Sequence, residues 1–236
     1  MGNFKNMSGP IEVLDNLIWH ALSTEHARFA EGDGLAKRYL PDVGPLSAVR
    51  EQSAKAYRSL GELLGPEDFA VLFLDEPPQL PEGWRFIMNT FMEQLVCEAP
   101  LPVSEHAHLI EELTTNDVPE MIALATLTEP GPFRKRTIEL GGFRCIRESG
   151  RIAAMTGQRT HPPGFVEVSA VCTHPDYRKR GYANALVSAV ARGILDRGET
   201  PFLGVRQDNV NAIRVYEKLG FRIRRTLYLA VVMRPA

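Results

Sequence analysis

Residues Phe165–Ala183, FVEVSAVCTHPDYRKRGYA, constrain this chain more than any other stretch. The apolar, β-branched run to Thr173 reads as a strand and His174-Pro175-Asp176 as a turn. Arg178-Lys179-Arg180-Gly181-Tyr182-Ala183 then opens a helix predicted over 181–197. A helix that starts there presents main-chain N–H groups without partners, and its dipole favours an anion at that end. A glycine lets a ligand come close to the backbone, and three basic side chains add charge. Strand, turn and basic helix start together have the layout of a phosphate site on an α/β sheet.

Two flanking segments narrow this further. Upstream stands Val171-Cys172-Thr173-His174-Pro175-Asp176-Tyr177, and downstream Gln207 to Phe221 contains Asn209-x-x-Ala212-x-x-x-Tyr216-x-x-x-Gly220-Phe221. Arg178-x-x-Gly181-x-Ala183 resembles the Gln/Arg-x-x-Gly-x-Gly/Ala signature of the GNAT acetyltransferase superfamily, and the flanks resemble that family's preceding strand end and second hallmark. The resemblance covers roughly 106–236, and this half looks most like the FR47-like group, which includes glycine N-acyltransferase-like enzymes. It implies a GNAT fold, with a mixed central sheet flanked by helices. It also implies acetyl-CoA as co-substrate, without a metal.

The resemblance assigns roles residue by residue. Arg178, Lys179, Arg180, Gly181, Tyr182 and Ala183 would cradle the pyrophosphate, Tyr182 through its backbone alone. The strand end Val171, Cys172 and Thr173 would bind the pantetheine arm and polarise the thioester carbonyl. Asn209 and Asn211 match positions that contact CoA or cap the helix. Tyr216 would be the general acid that protonates the departing thiolate; read from its residues alone, it is a core tyrosine with its hydroxyl at the edge.

Strand alternation supplies a further candidate. Val166, Val168, Ala170 and Cys172 are expected on one apolar face, and Phe165, Glu167, Ser169, Val171 and Thr173 on the other. A carboxylate inside so apolar a strand needs a wet cleft or a partner, because burying a charge is costly. Glu167 lies 14 positions before Gly181, the offset of the catalytic glutamate in histone-acetyltransferase-type members. Two readings follow: a general base for the attacking amine, or an ion pair to a neighbouring arginine. Cys172, on the apolar face, is expected to be an inert core cysteine and not a covalent nucleophile.

Charge divides the chain. Residues 1–105 hold 8 Lys+Arg against 16 Asp+Glu, and residues 106–236 hold 19 against 13, although the total is only −2. Two units are therefore expected: an N-terminal α+β unit over 1–105, with a degenerate half of the same fold as a further reading of it, and the acetyltransferase domain over 106–236. The near-neutral total argues against nucleic-acid binding. Three dispersed cysteines, Cys97, Cys145 and Cys172, give no metal or disulfide pattern, so a cytoplasmic setting is expected. The start MGNFKNMSGP has no hydrophobic signal core, and Asn6 stands where a myristoylation motif needs Ser or Thr. No apolar run is long enough to span a membrane, and no motif fixes an oligomeric state.

The remaining elements follow from periodicity. Helices are expected over 10–30, 47–64, 117–127, 134–140 and 211–219, and strands over 69–74, 109–113, 143–148, 151–159 and 201–206. One or two more strands are expected within 84–98 and others within 221–233, with a linker at Ala99-Pro100-Leu101-Pro102. The function expected is N-acetyl transfer to a small amine or amino acid by direct attack in a ternary complex. The alternatives are an acyl-CoA-sensing module without catalysis, or a protein or peptide N-acetyltransferase.

Overall fold

The computed structural model describes residues 7–99 and 101–234; the chain start through Asn6 and the linker's Pro100 lie outside the described residues. In chain order the elements are α1 (Leu17–Ser23), β1 (Ala30–Gly32), β2 (Ala36–Tyr39), β3 (Ser47–Val49), α2 (Ala54–Leu63), β4 (Ala70–Leu74), β5 (Arg85–Val96), β6 (Ile110–Glu112) and α3 (Val118–Thr128). They continue with β7 (Arg144–Glu148), β8 (Arg151–Gln158), β9 (Phe165–Thr173), α4 (Tyr182–Leu195), β10 (Thr200–Arg206), α5 (Val210–Lys218) and β11 (Arg222–Met233).

Eight strands form one sheet in the order β4-β11-β5-β10-β9-β8-β7-β6. The pairs are antiparallel except β9 with β10, which are parallel and joined by α4. Parallel neighbours need such a crossover connection, and here a helix supplies it. Strand β5, on the acidic side of the 105/106 charge boundary, lies between β10 and β11 and pairs with both. The expected two-unit division therefore marks a change of charge within one continuous sheet.

Helices α4 and α5 cover one face. Val187, Val190 and Ile194 pack there on Val166, Val168, Leu203 and Val205. On the opposite face α3 brings Met121, Leu124 and Ala125 onto Cys145, Met155 and Cys172. Further along that second face, α1 and the small antiparallel sheet β1-β2-β3 close over Val71, Phe73, Leu229 and Val231.

Three expected helices are corrected here. The 10–30 stretch breaks after a seven-residue α1 into 3-10 turns and β1, and 47–64 begins as β3 before α2 starts at its Ser53 cap. Ser53 accepts from the Ala56 N–H, so the helix begins where its first donors find a side-chain partner. The expected 134–140 helix is a 3-10 turn over Thr137–Leu140.

Candidate active site

The expected alternation of β9 fails at one residue. Ala170 has φ +52°, and the β8–β9 register shifts between Met155 and Gly157, so β9 carries a bulge. Beyond it the faces exchange. Val171 joins Val166 and Val168 under α4 and α5, whereas Ala170 and Cys172 turn to the α3 side. The face expected for Val166, Val168, Ala170 and Cys172 together is therefore corrected. The bulge also frees the strand from its parallel neighbour. Pairing of β9 with β10 ends at Glu167↔Phe202, while β10 runs on beside β5 to Arg206. The two strands splay, and past Glu167 the main-chain groups of β9 on that side have no strand partner.

A cleft of about 590 Å³ opens at the splay, within the range of about 300–1,000 Å³ usual for small-molecule sites. One wall is Val168–Val171 and the other Leu203–Arg206, with Asn209, Ala212 and Tyr216 of the α5 segment at one end. Tyr216 is half-buried, its ring edge-on to Phe221 at 6.2 Å, and its hydroxyl has no hydrogen-bond partner among the described residues. Burial pushes its phenol up to about 12, so it is protonated at any working pH. Asn209 caps α5, its side chain accepting from the Ala212 N–H at 3.2 Å. Asn211 is exposed and outside the cleft.

Of the three strand-end residues, Val171 alone lines the cleft. Cys172 is buried on the α3 side, its thiol raised to about 12 by burial, and Thr173 continues the ladder with Ala154. The basic loop lies at the start of α4. Gly181 is the N-cap with φ +81°, and no side chain caps the helix, so its first N–H groups face outward. Lys179 adopts φ +64°, giving the loop two left-handed residues. Arg178, Lys179 and Arg180 are exposed, Arg180 lying 5.1 Å over the Tyr177 ring and 3.8 Å from Glu148. Tyr182 is buried and donates to Glu148; Ala183 is half-buried.

Glu167 lies beneath the cleft floor. Its side chain is 3% exposed and accepts from Arg159 Nε at 2.9 Å, from Arg159 Nη2 at 2.6 Å and from Thr160 Oγ1 at 2.9 Å. The sequence offered an arginine ion pair as one reading of this residue, and the partner is Arg159. A Cβ placed on Gly204, in the opposite wall, would stand 3.9 Å from Glu167 Oε1, so the carboxylate lies just below the splay.

Sequence reasoning missed Arg159, the small residues Ser169 and Gly204, and the Pro130-Gly131-Pro132 loop that roofs the cleft. Arg159 had a signal, since an antiparallel return from β8 to β9 sets it near Glu167. The roof had none. A second cavity of about 490 Å³ lies apart from the signature residues, and four of its charges form pairs, Arg38 with Asp68 at 2.8 Å and Lys135 with Asp42 at 2.9 Å. Among the described residues no group of three or more His, Cys, Asp or Glu could hold a metal, and no helix is long and apolar enough to cross a membrane.

The model of the FR47-like protein family matches residues 144–230. Acetyltransferases of Yersinia pestis and Yersinia pseudotuberculosis are 47% identical over 58 residues, 24% of this chain and 40% of theirs. The chain thus spans about 40% of the length of those curated relatives. A solved structure of a GNAT-family protein from Novosphingobium aromaticivorans aligns over 94% of this chain and 99% of its own, with 38% identity and a TM-score of 0.88. A GCN5-related N-acetyltransferase from Kribbella flavida shares the fold at 17% identity, with a TM-score of 0.62 over 92% of this chain and 95% of that one.

Proposed function

Since the chain belongs to the GNAT family, we propose that it transfers the acetyl group of acetyl-CoA to a small amine by direct attack in a ternary complex. One observation carries the reading: Tyr216, its hydroxyl unpartnered among the described residues, lines the cleft opened by the splay of β9 from β10, and α4, whose start is uncapped, packs on the same sheet face as α5. The pyrophosphate would dock on the Gly181–Ala183 N–H groups with Arg178, Lys179 and Arg180 around it. The pantetheine arm would lie along Val168–Val171, whose unpaired main-chain groups complete the ladder that β10 leaves open. A main-chain donor there would also stabilise the oxyanion formed when the amine nitrogen attacks the thioester carbonyl.

As the C–S bond breaks, the sulfur takes a proton from Tyr216, which is close by and always protonated. The ammonium formed on nitrogen loses its proton to Glu167 through one water. Arg159 holds that carboxylate in place through two hydrogen bonds. Cys172 faces away with a raised pKa, so a covalent acetyl-cysteine plays no part. A cytoplasmic setting belongs to the same proposal and rests on three free, buried cysteines.

The test is acetyl-CoA turnover with a panel of amines, in the wild type and in Tyr216→Phe. The variant should keep acetyl-CoA affinity within a few-fold by calorimetry and lose about 10²- to 10⁴-fold in kcat. Equal turnover of the two proteins would remove Tyr216 from the chemistry. Tight acetyl-CoA binding with no amine acetylated would point to a sensor.

A further inference from the structure

The acceptor end of the cleft can be separated from the thioester end by strand alternation. Val168, Val171, Leu203 and Val205 face α4 and α5, where acetyl-CoA would lie. Val71 and Phe73 of β4, Met92 of β5, and Leu229 and Val231 of β11 face the other way and line the same cleft. Met88, about half exposed, extends this apolar floor to the mouth.

The charges around the cleft are few and unequal. Both of its arginines are occupied. Arg159 is held at two nitrogens by Glu167, and Arg206 is bidentate to Asp208 at 3.1 and 2.6 Å. The third charge is Glu129, at the rim beside the Pro130-Gly131-Pro132 roof, with no ion-pair partner among the described residues. A cation approaching the mouth therefore meets a free carboxylate and then an apolar floor. Among the described lining residues, an anion meets only guanidinium groups already paired with a carboxylate.

Resting on the acetyltransferase reading above, we propose that the acceptor is a primary amine on an apolar aryl or alkyl body, without an acidic group, so that free amino acids are excluded. The ammonium is drawn in by Glu129 and sheds its proton, and the body lies on Val71, Phe73 and Leu229 with the nitrogen toward the splay. An amino acid would carry its carboxylate into the same apolar space with no partner, the costly arrangement for a buried ion.

The test compares 2-phenylethylamine, L-phenylalanine and L-phenylalaninamide, which share one aromatic body. Phenylalanine has a lower amine pKa than phenylethylamine and so more free amine at a given pH, which biases that pair against the proposal. Phenylethylamine and the amide should nevertheless exceed phenylalanine in kcat/KM by at least about 10-fold, the scale of one unpaired polar group. From ethylamine to hexylamine, kcat/KM should rise roughly fourfold per methylene.

Met88→Lys, at an exposed position that does not threaten the fold, adds a free cation at the mouth and should narrow the phenylethylamine-to-phenylalanine ratio several-fold. Phenylalanine used as well as phenylethylamine by the wild type would overturn the proposal, and so would a ratio unmoved by Met88→Lys. Calorimetry with CoA present gives a readout independent of chemistry. Selective binding of phenylethylamine without acetylation would sustain this inference while refuting acetyl transfer, whereas equal binding of the three compounds would overturn it.

Discussion

Replacing Glu167 by glutamine separates two jobs that the geometry gives one carboxylate. The side chain is 3% exposed and takes three hydrogen bonds, two of them from an Arg159 that is itself only 14% exposed. Glutamine keeps the shape and accepts at one oxygen, but it leaves the guanidinium without a counter-charge. Removing one partner of a buried pair costs about 3–5 kcal/mol. Arg159 borders the cleft and can draw water, so the lower end, about 3 kcal/mol, is expected. For a chain of this size that is a fall in Tm of about 6–12 °C.

Calorimetric melting at pH 7 measures that fall. The companion Arg159→Met/Glu167→Gln, with both charges gone, should recover most of it, because replacing both partners of a buried pair is often neutral. Turnover of Glu167→Gln should be lowest near pH 7 and improve toward pH 9, where more of the amine is already deprotonated. A variant that melts within about 1 °C of wild type would refute the structural part. A loss of turnover that is the same at every pH would refute the base and leave Glu167 as the anchor of Arg159.

Three further outcomes follow from the site and its surroundings. Gly181→Glu places a charge where the pyrophosphate would bind and forces a side chain onto φ +81°, 3.3 Å from His106 Nε2; calorimetry should lose acetyl-CoA binding, while Gly181→Ala, sharing the backbone strain of about 1–3 kcal/mol, should retain part of it. His26 is buried with its Nδ1 2.8 Å from the Tyr39 hydroxyl, and burial, aided by His161 and Arg28, lowers its pKa to about 4. The unfolded chain then binds the proton first, so stability is full above about pH 6.5 and falls by about 3 kcal/mol on the way to pH 4; His26→Gln should flatten that acid limb of Tm against pH. Cys172, held near 12 by burial, should resist iodoacetamide at pH 8 in the folded protein, and Cys172→Ala should keep near-wild-type turnover; rapid labelling with loss of activity would contradict both.

What the sequence disclosed is local. The run from Phe165 to Ala183 became a strand, a 3-10 turn and a helix opening at Gly181, because Pro175 and Gly181 fix the backbone within a few residues of where they stand. The hairpin of β7 and β8 and the Asn209 cap were legible for the same reason. The small sheet was not: β1, β2 and β3 have three or four residues each, too few for a period of two to show against neighbouring helical spacing. The place of β5 was not legible either. Its apolar core was visible, but nothing in 85–96 says that it enters between β10 and β11, strands formed more than 100 residues later.

The same limit governs the chemistry. Gly181 and Tyr216 could be named because their spacing is carried along the chain. The feature that opens the cleft beside Tyr216 is a left-handed alanine, a conformation that residue adopts only when its surroundings impose it. With Ala170 extended, β9 would stay paired to β10, Val171 would lie on the α3 side and no cleft would open. The bulge is imposed from both sides: Thr156 Oγ1 bonds Ser169 O at 2.9 Å, and β8 regains register with Cys172 opposite Met155. The acceptor floor is equally non-local, since it is assembled from β4, β5 and β11. Its apolar character, which decides between an amine and an amino acid, belongs to the very half of the chain whose net charge pointed to an acidic wall. That half has its acidic groups elsewhere, Asp15 on Arg224 and Arg225, and Asp68 on Arg38; an acceptor meets the apolar side chains that line the cleft.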